Sequence, residues 1–322
     1  MAVGLKGGTT LGSLEDKEYF IRTMLERAQA VLVWDQFGTK DFIPARGGTS
    51  VEWRQMPRLT PSTTALTEGT FPSETVPTIR AVTATVNQYG QFFRSTDVAG
   101  VQAIDDLRAE GAEALGQAAG EAHDLLTRAV VVAGTTVQYA GTAGSRGALT
   151  SGMRLTSAEL REARATLMKN GAPKFPDGTY KAIIEPDQEY DLWGDTNIVN
   201  AAQYAATRGE DNPLFTGRLA RYLGIDISTS NIFFATKTGA SLGLSGSDVY
   251  TAVVFGRDFY GIVDLSAMRM QEIYHEPGSG GSTGDPLNQT WSQGYKFAHA
   301  AAILDQTFGV RIETTSTLGT LG

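Results

Sequence analysis

Few residue types in this chain are equipped for chemistry, and their spacing argues against most of what they could do. There are three histidines, His123, His275 and His299. None sits in an HExxH or HxxxH arrangement, so a zinc hydrolase site has no support. His123 stands beside Asp124 and two residues after Glu121. That group could relay a proton, but on a long helix it reads first as a polar face. Two G-x-S-x-G matches occur, Gly239–Gly243 around Ser241 and Gly280–Gly284 around Ser282. A nucleophile elbow needs a strand before its serine and a helix after it. Both matches instead fall in Gly/Ser-rich loops, where chance matches are expected. Glu185, Asp187, Glu189, Asp191 and Asp195 could suggest a divalent cation. Their spacing lacks the glycine and terminal glutamate of a calcium loop. Asp187 and Glu189 read better as first-turn carboxylates on a helix, where the dipole favours them. No Walker A or GxGxxG phosphate loop is present, and the sequon Asn288-Gln-Thr290 has no secretory context. Cysteine is absent, which excludes disulfides, Cys-ligated zinc and thiol chemistry and leaves the redox compartment open. No catalytic residue, metal ligand or cofactor-binding residue is assigned.

The elements that would have to carry a site look architectural. The chain has 322 residues, 41% of them hydrophobic, enough for a sizeable core. Its 37 glycines are dispersed between periodic segments, which reads as a globular protein with many turns. Net charge is −8, so the basic footprint of a nucleic-acid binder is missing. No apolar run approaches the ~20 residues of a membrane span. The opening MAVGLKGGTTLGSLEDKEYF has no signal-type apolar core, and use inside a cell is expected.

Along the chain, residues 1–12 read as an arm. A helix follows Ser13, with Phe20, Met24, Ala28 and Val31 on one face, and ends near Gly38. FIPARGGTSVEW, from Phe42, reads as an extended connector broken by Pro44 and Gly47-Gly48. Val51–Met56 alternates as a strand does. Then comes TPSTTALTEGTFPSETVPTIRAVTATVNQYGQFFR, Thr60–Arg94, with prolines at 61, 72 and 77 and only Leu66, Phe71 and Val76 as large apolar residues in its first half. A strand returns around Arg80–Phe93. Residues 56–82 would form a ribbon whose arms each reach roughly 40 Å. An isolated two-stranded ribbon is marginally stable in water, so another subunit is its expected support.

VQAIDDLRAEGAEALGQAAGEAHDLLTRAVVVAG then predicts one helix of about thirty residues, roughly 45 Å long. Its stripe is Ile104, Leu107, Gly111, Leu115, Ala118, Ala122, Leu125, Ala129 and Val132, and Gly134 stops it. Tyr139–Gly152 reads as a loop. A helix capped by Thr156 or Ser157 runs to Gly171, Tyr180–Ile184 is a buried strand, and a helix begins at Asp187. Residues 208–217 form a loop. Further strands are expected at Ile225–Phe234, Tyr250–Phe255, Gln293–Leu304 and Phe308–Thr314. Helices and strands without a regular βαβ repeat argue for an α+β fold.

The ordered set IPARGGTSVEWRQMPRL, TTALTEGTFP, VTATVNQYG, LTRAVVVAG, YKAIIEPDQEYDLWGD, EDNPLFTG and DPLNQTWSQGYK, spread from about Glu26 to Ile312, resembles the N-four-type major capsid protein family of tailed bacteriophages. That family is similar to the Hong Kong ninety-seven-like capsid fold. The resemblance implies an N-terminal arm and helix at 1–49 and an extended loop at 50–94. It implies a peripheral domain at 95–174 with a spine helix at 102–133, an axial domain at 175–284, and C-terminal strands at 285–322 returning to the peripheral domain. Subunit contacts are expected from Arg54, Arg58, Glu68, Phe71, Glu74 and Arg80, with Asp211 and Asn212 of the EDNPLFTG loop. The implied function is self-assembly through pentamers and hexamers into an icosahedral shell. That shell would enclose double-stranded DNA without sequence-specific binding, with no cofactor and no membrane. Scaffolding, portal and decoration proteins are implied partners, and the host bacterial cytoplasm is the implied site of assembly. No lysine falls between Lys40 and Lys169, so the extended loop cannot supply the cross-linking lysine some capsids of this fold use. The short arm before the first helix implies a separate scaffolding protein. The rival readings are an encapsulin-like nanocompartment, a serine hydrolase using Ser241 or Ser282, and a monomeric binding module.

Overall fold

Two sheets and one long helix organise the molecule. The computed structural model describes residues 24, 27–28, 32–44, 47–56, 59–102, 107–203, 221–232, 248–265, 270–276, 287 and 289–318. The expected arm, most of the first helix, the loop at 208–217 and the Gly278–Gly284 loop lie outside these residues. In chain order the elements are β1 (Thr39–Ile43), β2 (Ser50–Gln55), β3 (Arg80–Thr85), β4 (Asn87–Thr96), α1 (Asp97–Gln102), α2 (Leu107–Val132), β5 (Val137–Tyr139), α3 (Ser157–Lys169), β6 (Tyr180–Ile184), α4 (Pro186–Trp193), α5 (Thr196–Gln203), β7 (Arg221–Tyr222), β8 (Ile225–Thr229), β9 (Tyr250–Phe255), β10 (Tyr260–Leu265), β11 (Gln271–His275), β12 (Thr290–Ile303) and β13 (Gly309–Thr314).

The 14-residue β12 organises the first sheet. One of its edges takes the whole of β4, antiparallel, from Asn87 opposite His299 to Thr96 opposite Thr290. Its other edge takes β11 and then β10, and β1 adds parallel to β10. Helix α2 lies on this sheet. Leu115 and Ala119 pack with Tyr295, Phe297 and the helical Met24 in one buried cluster. At ~1.5 Å per residue the 26 residues of α2 span about 39 Å.

The second sheet has the order β5-β13-β9-β6-β8-β7. Its central strands, YKAII and YTAVVF, are buried at every position. A continuous apolar run is what a strand covered on both faces requires. Ala182, Ile184, Ala252 and Val254 face Leu160, Ala163 and Leu167 of α3. The alternate residues Ile183, Val253 and Phe255 face Trp34, Val131 and Tyr260. Each fully buried side chain of this size contributes ~1.5–3 kcal/mol relative to exposure.

Local signals explain the helix ends. Thr156 accepts the Ala158 N–H at 3.3 Å, and the Glu159 carboxylate accepts the Thr156 N–H at 3.1 Å, a reciprocal cap on α3. Pro186 fills the first position of α4, where its missing N–H costs nothing.

The structure departs from the sequence expectations in several places. Phe42 lies in a strand, β1, because β10 supplies parallel backbone partners. The single returning strand is two: β3 pairs with β2, whereas β4 pairs with β12. Within the spine helix expected at 102–133, Leu107–Val132 is helical as α2, and residues 103–106 lie outside the described set. Helix α4 begins at Pro186, one residue before Asp187. Strands β10 and β11 and helix α5 had no sequence signal that singled them out. The loop at 139–152 contains a 3-10 turn at Arg146–Ala148.

The buried face of α2 also differs from the expected stripe. It consists of Ala112, Leu115, Gly116, Ala119, Gly120, His123, Asp124, Thr127, Arg128 and Val131. Leu125 and Ala129 face solvent. Hydrophobicity alone draws the stripe off-centre because four of these ten residues are polar and meet specific partners.

Candidate functional site

The antiparallel pair β2–β3 runs from Ser50 opposite Thr85 to Gln55 opposite Arg80 and forms the base of the ribbon. Its root is anchored: Val51, Trp53, Ala84 and Val86 pack with Ile43, Val263 and Ala300 of the first sheet. Beyond the root the support ends. Every residue from Leu59 to Ala81 is exposed. A turn closed by the Thr70 N–H on the Thr67 carbonyl, 3.1 Å, reverses the chain. Gly69 there has φ +77°, a conformation that side chains disfavour. Leu66, Phe71, Val76 and Ile79 are 77%, 97%, 73% and 59% exposed. Burying such residues is worth ~1.5–3 kcal/mol each, so the ribbon displays several kcal/mol of unspent apolar surface. A run of exposed large apolar residues marks an interaction site.

The residues expected at subunit contacts fall into three groups. Glu68, Phe71 and Glu74 are exposed on the ribbon's outer part. Arg54 pairs with Glu52 of its own strand at 2.7 Å, and Arg80 lies 3.9 Å from Asp305 at the root. Exposed pairs of this kind contribute ~0–1 kcal/mol, which leaves both arginines available at little cost. Arg58, Asp211 and Asn212, like Ser241 and Ser282, lie outside the described residues.

The acidic run is divided among separate structural tasks. The Glu185 carboxylate accepts the Thr251 N–H at 3.2 Å and lies 3.8 Å from the Arg128 guanidinium. Glu189 accepts the Thr229 hydroxyl at 2.6 Å, and Asp191 accepts from Thr317. Asp195 accepts the Ser157 and Asn197 N–H groups at 2.7 and 2.8 Å.

A second constellation, not anticipated from the sequence, is buried between α2 and the first sheet. Asp124 accepts the N–H groups of Val33, Trp34 and Asp35 at 3.1, 2.7 and 3.2 Å. Burial nevertheless pushes its carboxyl up to about 6, against those hydrogen bonds. His123, the residue beside Asp124, meets His299 with ring centroids 4.0 Å apart and planes tilted by 51°. Asp264 Oδ1 lies 3.7 Å from His123 Nε2 and 3.5 Å from His299 Nδ1. Burial lowers the His299 pKa against the pull of Asp264. Burial would raise Asp264, but the two imidazoles hold it well below the usual carboxylate range. His123 and His299 are 176 residues apart, so only the pairing of β12 with β10 and the seat of α2 bring them together. Their meeting has no local sequence signal.

With this geometry in place, a family model for phage capsid protein matches residues 80–312. The chain belongs to the phage capsid protein family. Its fold is similar to the Cyanophage Pam1 capsid asymmetric unit, with a TM-score of 0.69 at 16% identity, over 84% of this chain and 86% of that one. The capsid of Cyanophage P-SCSP1u gives 0.65 at 16% identity over 88% of each chain. The capsid of Ralstonia phage GP4 gives 0.60 at 17% identity over 86% and 85%. No curated protein matches the capsid chain. The α+β arrangement is thus the Hong Kong ninety-seven-like capsid fold. The capsid chain is a structural protein, a major capsid protein of a tailed phage, whose copies build the lattice of the virion shell. Among the described residues, no helix is long and apolar enough to cross a membrane.

Proposed function

We propose that the capsid subunits form rings of five and six, which close into an icosahedral shell around double-stranded DNA, and that the ribbon clasps a neighbouring subunit. The observation that carries this reading is the unbroken exposure of Leu59–Ala81 together with the outward Leu66, Phe71 and Val76. A segment that buries nothing at home gains its stability from a neighbour. Rotationally closed rings need heterologous contacts, in which a surface of one copy meets a different surface of the next. Many modest contacts per subunit then raise effective concentration and hold the shell together. Phe71 is the aromatic anchor of this contact, and Arg54, Arg58, Glu68, Glu74, Arg80, Asp211 and Asn212 contribute polar contacts at its rim.

In the same reading the chain divides as the family resemblance implies, with arm 1–49, extended loop 50–94, peripheral domain 95–174, axial domain 175–284 and returning strands 285–322. It acts as a building block rather than an enzyme. DNA is contained loosely, because dense phosphate contacts need clustered cations and this chain carries a net charge of −8. Assembly takes place in the host cytoplasm with scaffolding, portal and decoration proteins as partners.

Negative-stain microscopy of the expressed protein, beside a variant lacking Thr63–Pro77, tests the reading. Shells or five- and six-fold rings are expected for the intact chain. The deletion is expected to keep the circular dichroism of a folded subunit and to form no shells. Shells from the deleted variant would remove the clasp; a monodisperse intact monomer would remove the assembly reading itself.

A further inference from the structure

The buried meeting point of His123, Asp264 and His299 has the form of a metal centre. Their three ligand atoms lie within 4.8 Å of one another. Asp264 Oδ1 is 3.7 Å from His123 Nε2 and 3.5 Å from His299 Nδ1. Ligands held at ~2.0–2.1 Å by a tetrahedral zinc ion stand about 3.4 Å apart, so two edges of the set are close to the required span. The rings are 8% and 1% exposed, while the Asp264 side chain is 48% exposed and opens one side to solvent.

The far nitrogen of each ring also faces a polar group. His123 Nδ1 faces Asp35 Oδ1 at 3.7 Å, and Lys40 holds the other Asp35 oxygen at 3.0 Å. His299 Nε2 is 3.0 Å from the Thr127 hydroxyl, which donates to the His123 carbonyl at 3.3 Å. With its proton placed there, Thr127 accepts from His299 Nε2–H. The lone pair of Nδ1 then points at a carboxylate oxygen. Two acceptors facing each other in a buried site need a cation between them. Correspondingly, two of the three inward atoms, His299 Nδ1 and Asp264 Oδ1, are buried without hydrogen-bond partners. An imidazole with one nitrogen toward a common centre and the other toward a carboxylate or hydroxyl is the usual arrangement around protein-bound zinc.

We propose that His123 Nε2, His299 Nδ1 and Asp264 Oδ1 bind one divalent transition-metal ion of the zinc class, with the fourth position open to water from the Asp264 side. Two imidazoles and one carboxylate favour such an ion over magnesium or calcium, which prefer all-oxygen shells. The ion would fasten α2, β10 and β12 at one point, with the Asp35 turn behind it.

Cobalt(II) added to metal-stripped full-length protein tests the assignment. The expected result is the visible d–d absorption of a four-coordinate ion, saturating at one ion per chain and abolished by excess zinc. Asp264→Asn, at a half-exposed position that does not threaten the core, is expected to weaken cobalt binding at least tenfold. His275→Ala, at the exposed end of β11, is expected to leave it unchanged. A six-coordinate aqueous spectrum would overturn the proposal. So would saturation that is indifferent to Asp264→Asn, or binding that disappears with His275.

Discussion

At the scale of single residues, the buried ionic groups decide stability. Glu313 is fully buried on β13 and receives Arg146 in a two-pronged pair at 2.5 and 2.7 Å, with Arg311 at 3.0 Å. Removing one partner of such a group strands the others, which costs ~3–5 kcal/mol. Glu313→Ala is therefore expected to lower the unfolding free energy measured by urea titration by an amount in that range, whereas Glu52→Ala, which breaks only the exposed pair with Arg54, is expected to change it by less than ~1 kcal/mol. Asp195 supplies the pH dependence. It caps α5 through the Asn197 N–H and also ties down the first N–H of α3 at Ser157. Burial would raise its pKa, but these hydrogen bonds outweigh burial and hold it below the ordinary aspartate value. A depressed folded pKa contributes stability above the unfolded value, and that stability is lost as pH falls through the folded one. Asp195→Ala is expected to cost ~1–2 kcal/mol at neutral pH. In thermal melts, the gap from the parent protein should shrink below about pH 4. A gap that widens on acidification would show that the carboxylate is not the stabilising form.

At the scale of elements, close approach matters more than apolar content. A Cβ added at Gly116 would stand 2.5 Å from the Met24 carbonyl oxygen, and one at Gly120 would stand 2.6 Å from that of Ala28. Alanine in a helix normally gains ~1 kcal/mol over glycine. Here a collision with backbone, worth ~1–3 kcal/mol, outweighs it. Gly116→Ala and Gly120→Ala are expected to lower the melting temperature, and a rise would mean that Met24 and Ala28 do not sit on α2 as described. These contacts also show what was legible in the sequence. Strands β6 and β9 declared themselves as unbroken apolar runs, and α3 declared itself through Thr156 and Glu159. Strand β1 did not, because its partner lies some 220 positions away and its own residues, TKDFI, carry no run or clear alternation. The seat of α2 was misread because His123, Asp124, Thr127 and Arg128 are buried by virtue of partners no local pattern reveals. The exposure of Phe71 was foreseeable from its isolation among threonines and prolines, whereas the joining of His123 to His299 depends wholly on tertiary pairing.

At the scale of the whole molecule, the absence of lysine from residues 41–168 has a direct outcome. Shells of this protein, boiled in detergent, are expected to run as single chains on a denaturing gel, and a ladder of covalent multimers would contradict a clasp made of shape and charge. The strength of such a clasp depends on where load enters the subunit. The ribbon continues through Val86 into β4, and all ten residues of β4 are paired with β12. In the proposed clasp, a neighbour that tugs on the ribbon would pull on the end of β4. The ladder to β12 is then loaded in shear, so its hydrogen bonds share the force and must fail together rather than peel apart one after another. In the proposed shell, outward pressure would thereby be carried into β12, the longest strand among the described residues, and spread over the sheet beneath α2, away from the exposed tip.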